Sequence, residues 1–155
     1  MPQLDASFFR PFIEGTLKTL KVQCKTDAFH ESPFFKGMKT EPVFAIAGVI
    51  DIASVTFTGR ISLCFPEPVF LGMMERMLEE SFPEITLELQ DGVAELLNMI
   101  FGQAKVTLNE QGHTIQKAIP TVVRDNTLNT PIGKTVVLPF KTDLGVFHIE
   151  IRSDS

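Results

Sequence analysis

LELQDGVAELLNMIFGQAKVTLN, residues 87–109, is the stretch on which the reading of this chain turns. Laid out at about 100° per residue, Val93, Leu96, Leu97, Ile100, Ala104 and Leu108 gather in one arc, the face a helix lays against a sheet. The opposite face holds Asp91, Glu95, Asn98, Gly102, Lys105 and Asn109. Within that stripe Asp91, Glu95, Asn98 and Gly102 fall inside about 60° of one another. Gly112 is the expected stop.

Outward from this helix, the preceding chain predicts a first helix from Ser7, as its cap, to about Cys24. Phe8, Phe9, Phe12, Ile13, Leu17 and Leu20 recur at spacings of three and four, and Pro11 falls in the opening turn. An irregular connection over 27–42 carries Pro33, Gly37 and Pro42, with a short strand around Phe34 and Phe35. Val43 to Ala53 is nearly all apolar, as in a strand covered on both faces. After a turn at Ser54 to Thr56, a half-buried strand alternates from Phe57 to Phe65, so the pair reads as a hairpin. Pro66 and Pro68 open a second helix, ending before Pro83, whose Met73, Met74 and Met77 read as core filler. Strands over Thr114 to Val123, Lys134 to Phe140 and Leu144 to Ile151 close the chain. Helices and strands are not interleaved as in a parallel β/α chain. The expected class is therefore α+β: an antiparallel sheet of about five or six strands with three main helices packed on it.

Composition bounds the rest. With 155 residues the chain fits one domain, 1–155, and its 44% hydrophobic content suffices for a single core. Trp and Tyr are absent, so the core rests on aliphatics and 14 Phe. A net charge of −5 without a basic run argues against nucleic acid as partner. Met1 to Arg10 has no secretory pattern and no run reaches the roughly 18 apolar residues of a membrane span, so a cytoplasmic protein with no membrane partner is expected. Cys24 and Cys64 form no CxxC, and His30, His113 and His148 are scattered singly, so no metal site of the chain's own is expected.

Two residues on the polar stripe call for a reason. Gly in a helix costs about 1 kcal/mol relative to Ala, and Asn is a mediocre helix former. Close approach by another surface would account for Gly102, and use of its amide for Asn98. The plain alternative is an ordinary amphipathic helix with a polar outer face.

The stretch Asp91-Gly-Val-Ala-Glu95-Leu-Leu-Asn98-Met-Ile-Phe-Gly102 resembles the phosphatase signature of the CheC/CheX/FliY family, in which an Asp or Ser is followed by Glu, Asn and Gly at steps of four, three and four. The Pro11-Phe-Ile-Glu14 helix, the hairpin ending in Gly59-Arg-Ile-Ser-Leu-Cys-Phe65, and Ile119-Pro-Thr-Val-Val123 also stand in the order that family uses, so the resemblance spans about residues 7 to 151. CheC-type members carry a second copy of the signature on the first helix. Here that alignment leaves only Glu14, with Arg10, Leu17 and Lys21 at the other positions, and the chain is closer to CheX. The resemblance implies a CheC/CheX-like fold, a homodimer, and catalysed hydrolysis of the aspartyl-phosphate of a CheY-like response regulator. Asn98 would hold the attacking water and Glu95 would pair with a lysine of the regulator. Asp91 and Gly102 would support docking, although for Asp91 a simple helix-end role stands equally. No cofactor of the chain's own is implied; Mg2+ belongs on the phosphorylated partner. A different class also fits the helix, a non-catalytic docking module for a regulator or flagellar switch component.

Overall fold

The structure, a computed structural model, describes residues 6–40, 43–54, 58–117, 119–125 and 134–154. In chain order the elements are α1 (Ala6–Cys24), β1 (Phe29–His30), β2 (Phe34–Phe35), β3 (Ile46–Ala53), β4 (Thr58–Phe65), α2 (Glu67–Leu78), α3 (Leu87–Glu110), β5 (Gln116–Lys117), β6 (Thr121–Arg124), β7 (Thr135–Thr142) and β8 (Gly145–Ser153). Among the described residues no helix is long and apolar enough to cross a membrane.

All strands pair antiparallel in one eight-stranded sheet of order β1-β7-β8-β4-β3-β5, with β2 also on β7 and β6 also on β3. Two hairpins, β3–β4 and β7–β8, meet through β4 and β8. Each is preceded by a long helix, so the chain runs helix, short strands and hairpin twice, with α2 as the link. Alternation sends Ile61, Leu63 and Phe65 of β4 and Phe147, Ile149 and Ile151 of β8 to one face, where they join the buried sides of all three helices in one core. Phe residues take the place of the absent Trp and Tyr: Phe140 and Phe147, opposite one another in register, stack at 4.9 Å, and Phe65 lies 4.9 Å from Phe147. Met73 and Met74 are fully buried in this core, as their spacing predicts.

Several sequence expectations are corrected. The sheet has eight strands rather than five or six, because two-residue strands form at β1, β2 and β5. The expected Thr114 to Val123 strand is two, β5 and β6: Pro120 has no N–H to give to a ladder, and Ile119 beside it is 86% exposed. Ser7 sits inside the first turn of α1 rather than capping it. The end of α2 is as expected, before Pro83: it stops at Leu78, where Glu79 takes a left-handed φ of 57°. β4 is not half-buried. Ser62 and Cys64 on its outer face are covered as well, because the connection from β2 to β3 brings Lys36 and Phe44 over that face. Most of the turn expected at Ser54 to Thr56 lies outside the described residues.

Two glycines set how closely helices approach. A Cβ on Gly48 of β3 would stand 3.0 Å from the backbone oxygen of Val93 in α3, and one on Gly15 of α1 would stand 3.0 Å from that of Ile100. Neither obstacle is a flexible side-chain end. Gly48→Ala is expected to destabilise the fold by about 1–3 kcal/mol, since α3 must lift or β3 must bend; a chemical-denaturation midpoint equal to that of the parent would contradict this account.

Candidate functional site on helix α3

Helix α3 begins where Thr86, in extended conformation, accepts a hydrogen bond from Leu89 N–H at 3.1 Å. It ends at Glu110 and is turned away just beyond, at Gly112 (φ +87°), with His113 N–H reaching the Leu108 carbonyl at 3.0 Å. Asn109, at the end of the polar stripe, accepts from Ile115 N–H at 3.0 Å and so ties the helix end to the following chain. Val93, Leu96, Leu97, Ile100, Ala104 and Leu108 are buried, together with Leu89 and Phe101. The rotation of the helix is therefore the one that the sequence periodicity predicts.

That rotation turns Asp91, Glu95 and Gly102 to the surface, where all three are exposed; Asn98 is half-buried. Glu95 and Asn98 are one turn apart, about 4.5 Å along the axis. The Asn98 carboxamide oxygen is buried and has no hydrogen-bond partner among the described residues. A buried polar atom left in this way costs about 1–3 kcal/mol. Gly102 has open space above it, since a Cβ built there meets no atom within 4 Å. The neighbouring Gly92 has a different reason, because a Cβ there would run into the sulfur of Met74.

Beside Gly102, α1 and α3 enclose a shallow groove of about 240 Å³, lined by Lys18, Thr19, Val22, Gln23, Met99, Gly102 and Gln103. Val22 is 64% exposed there. Sequence periodicity marked the stripe on α3 but not this groove, which exists only once Gly15 brings the two helices together. The remnant Glu14 on α1 is exposed.

The family profile described as chemotaxis phosphatase CheX matches residues 46–141, a span that includes β3, β4, all of α2 and α3, and most of β7. The chain belongs to the CheX family. Among solved structures, a CheC-like superfamily protein from Shewanella sp. PV-4 is 27% identical with a TM-score of 0.87, over 98% of this chain and 100% of that one. A chemotaxis protein CheX from Vibrio vulnificus is 28% identical, also with a TM-score of 0.87, over 96% and 100% of the two chains. A CheX–CheY–BeF3–Mg2+ complex from Borrelia burgdorferi contains a similar chain, 17% identical with a TM-score of 0.78, over 99% and 100%. No curated protein sequence matches this chain. The CheX-like fold expected from the sequence is the one found, with helix α3 on its surface.

In this CheX-family chain the stripe is not arranged for stability. Asn98→Ala removes an unsatisfied amide and substitutes a better helix former, so it should stabilise the fold or leave it unchanged. Gly102→Ala should stabilise it by about 1 kcal/mol, because the new methyl meets nothing. Thermal melts of the two variants check this; a fall in Tm for both would mean that the stripe is structural.

Proposed function

We propose that this chain accelerates hydrolysis of the aspartyl-phosphate of a CheY-like response regulator, inserting Glu95 and Asn98 from α3 into the regulator's phosphorylated pocket. The observation that carries the reading is an exposed carboxylate followed, one turn on, by a carboxamide whose oxygen has no partner among the described residues. The Borrelia complex supports the choice of partner, since a chain of this fold is there found with CheY, BeF3 and Mg2+.

Acyl-phosphate hydrolysis passes through a loose transition state, so positioning and charge stabilisation do most of the work and no nucleophile is needed from this chain. Water attacks phosphorus, the bond from phosphorus to the aspartyl oxygen breaks, and the aspartate leaves as a carboxylate with inorganic phosphate as the other product. An amide suits the handling of that water because it accepts through oxygen and donates through nitrogen, whereas an ionised carboxylate only accepts. Rotation of the Asn98 side chain toward the water would release its carbonyl from the buried, unpaired state. Glu95, exposed one turn earlier, would pair with a lysine beside the phosphate and so fix the register of docking. Asp91, near the start of the helix, adds a favourable negative charge there, and Gly102 gives clearance to the partner's surface. The divalent ion that neutralises the phosphoryl oxygens would be Mg2+ held by the regulator. The same family reading makes the protein a cytoplasmic homodimer.

Asn98→Ala should slow catalysed phosphate release by roughly a hundredfold or more, judged from the loss of one positioned polar group in other enzymes. Glu95→Ala should act mainly by weakening docking. Following phosphate release from a phosphorylated regulator with parent and variants checks both. Unchanged turnover in Asn98→Ala would remove the mechanism, and regulator binding without any acceleration by the parent would identify a docking module instead.

A further inference from the structure

The outer face of the sheet, opposite the helices, brings together three groups that the phosphatase reading does not use. Cys64 on β4 and His148 on β8 are cross-strand partners, and Glu150 stands two residues further along the same face of β8. One ligand atom from each, Sγ, a ring nitrogen and a carboxylate oxygen, all lie within 4.8 Å of one another, and all three residues are buried. His148 Nε2 lies 3.1 Å from Glu150 Oε2, while its Nδ1 is buried without a partner among the described residues. The other Glu150 oxygen has a cation, Lys36 Nζ at 3.4 Å, on a side chain that is 14% exposed.

A neutral imidazole has one donor and one acceptor nitrogen, so satisfying Nε2 with Glu150 does nothing for Nδ1. The same face carries Phe44, Ala47, Val49 and the buried hydroxyl of Ser62, and among the described residues none of them gives that nitrogen a hydrogen bond. A thiolate, an imidazole and a carboxylate are the donor types of zinc, at about 2.0–2.3 Å from the metal, which puts tetrahedral donors roughly 3.3–3.7 Å apart. The cluster needs only a small contraction to reach that spacing. Hard cations such as Mg2+ or Ca2+, which take six or more oxygens, do not suit it.

We propose that Cys64, His148 and Glu150 bind one zinc-class divalent ion. As the ion displaces the hydrogen bond between His148 and Glu150, the imidazole keeps its one proton on the nitrogen that does not bind the metal. The Cys64 thiol gives its proton to solvent as the sulfur–metal bond forms, and Lys36, whose side chain is 14% exposed, swings from Glu150 toward solvent. Among the described residues no fourth protein ligand stands in reach, so water completes the coordination. The site is independent of the reading of α3, on the other side of the sheet.

The test is titration of the purified protein with cobalt(II) and with zinc. One equivalent of cobalt per chain should give a thiolate-to-cobalt charge-transfer band in the near ultraviolet. Zinc at a hundredfold excess over Kd should raise Tm by roughly 5–10 °C. Cys64→Ser and His148→Gln should lose the band with circular dichroism unchanged, and Cys24→Ser should keep it. Lys36→Met should tighten binding about tenfold, because a competing cation is gone. If Cys64→Ser fails to fold, His148→Gln decides. No band with the parent, a band that survives in folded Cys64→Ser or His148→Gln, or unchanged affinity in Lys36→Met would overturn the proposal and leave a buried polar network closed by Lys36.

Discussion

The contact between the backbone of α3 and Gly48 of β3 is the constraint on which the rest depends. A helix resting on a strand through ordinary side chains can roll to accommodate changes in their size. Here the Val93 carbonyl stands where a side chain of β3 would be, so the helix is held close at one point along its length. Leu96, Leu97 and Ile100 then fill the space on either side, and their packing density sets the roll. Fixing the buried arc fixes the exposed one, and that is how core packing turns Glu95 to the surface and leaves Asn98 at its edge, half-buried.

That indirect support leaves the stripe itself poorly optimised. Asn98 keeps an unsatisfied carbonyl, and Gly102 leaves an empty space that alanine could fill. Neither choice adds to the stability of the isolated chain, and each would gain from a second molecule: the amide from a water or partner group, the glycine from a surface lying close. Sites that must bind something else commonly trade stability in this way. The groove lined by Lys18, Val22 and Met99 continues the same surface onto α1, so a partner resting on α3 would meet both helices.

Periodicity was a good guide wherever one face of an element meets the core and the other meets water. The 3.6-residue repeat of α3 gave both its limits and its orientation, and the alternation of β8 correctly sent Phe147, Ile149 and Ile151 inward. It failed where a second layer covers the sheet. Cys64, His148 and Glu150 sit at positions that alternation assigns to solvent, and they are buried only because Lys36 and Phe44 arrive from a connection with no periodic signal. Their meeting could not be read from spacing either, since it needs the register of two strands from opposite halves of the chain. The short strands β1, β2 and β5 were hard to see for a related reason: two residues hold no repeat, and their pairing is fixed by the neighbours they are drawn against. For the site on α3, pattern alone stopped at an odd Gly and Asn; the spacing shared with a known family turned that oddity into named chemistry.

The two faces of the sheet solve different problems. The helical face is apolar, and its packing sets which side of α3 faces outward. On the other face a Glu and a His are buried among a few small and aromatic groups beside a half-buried Lys, and burial of charge is tolerated only when partners are supplied. Lys36 answers for the charge of Glu150 but not for the lone pair of His148, so ion pairing accounts for only part of the arrangement. Because Cys64 and His148 lie on β4 and β8, the strands through which the two halves of the sheet join, whatever occupies this cluster acts on the seam between them. An ion there would cross-link halves that backbone hydrogen bonds already hold in register, which makes it a reinforcement of the fold rather than a condition for it.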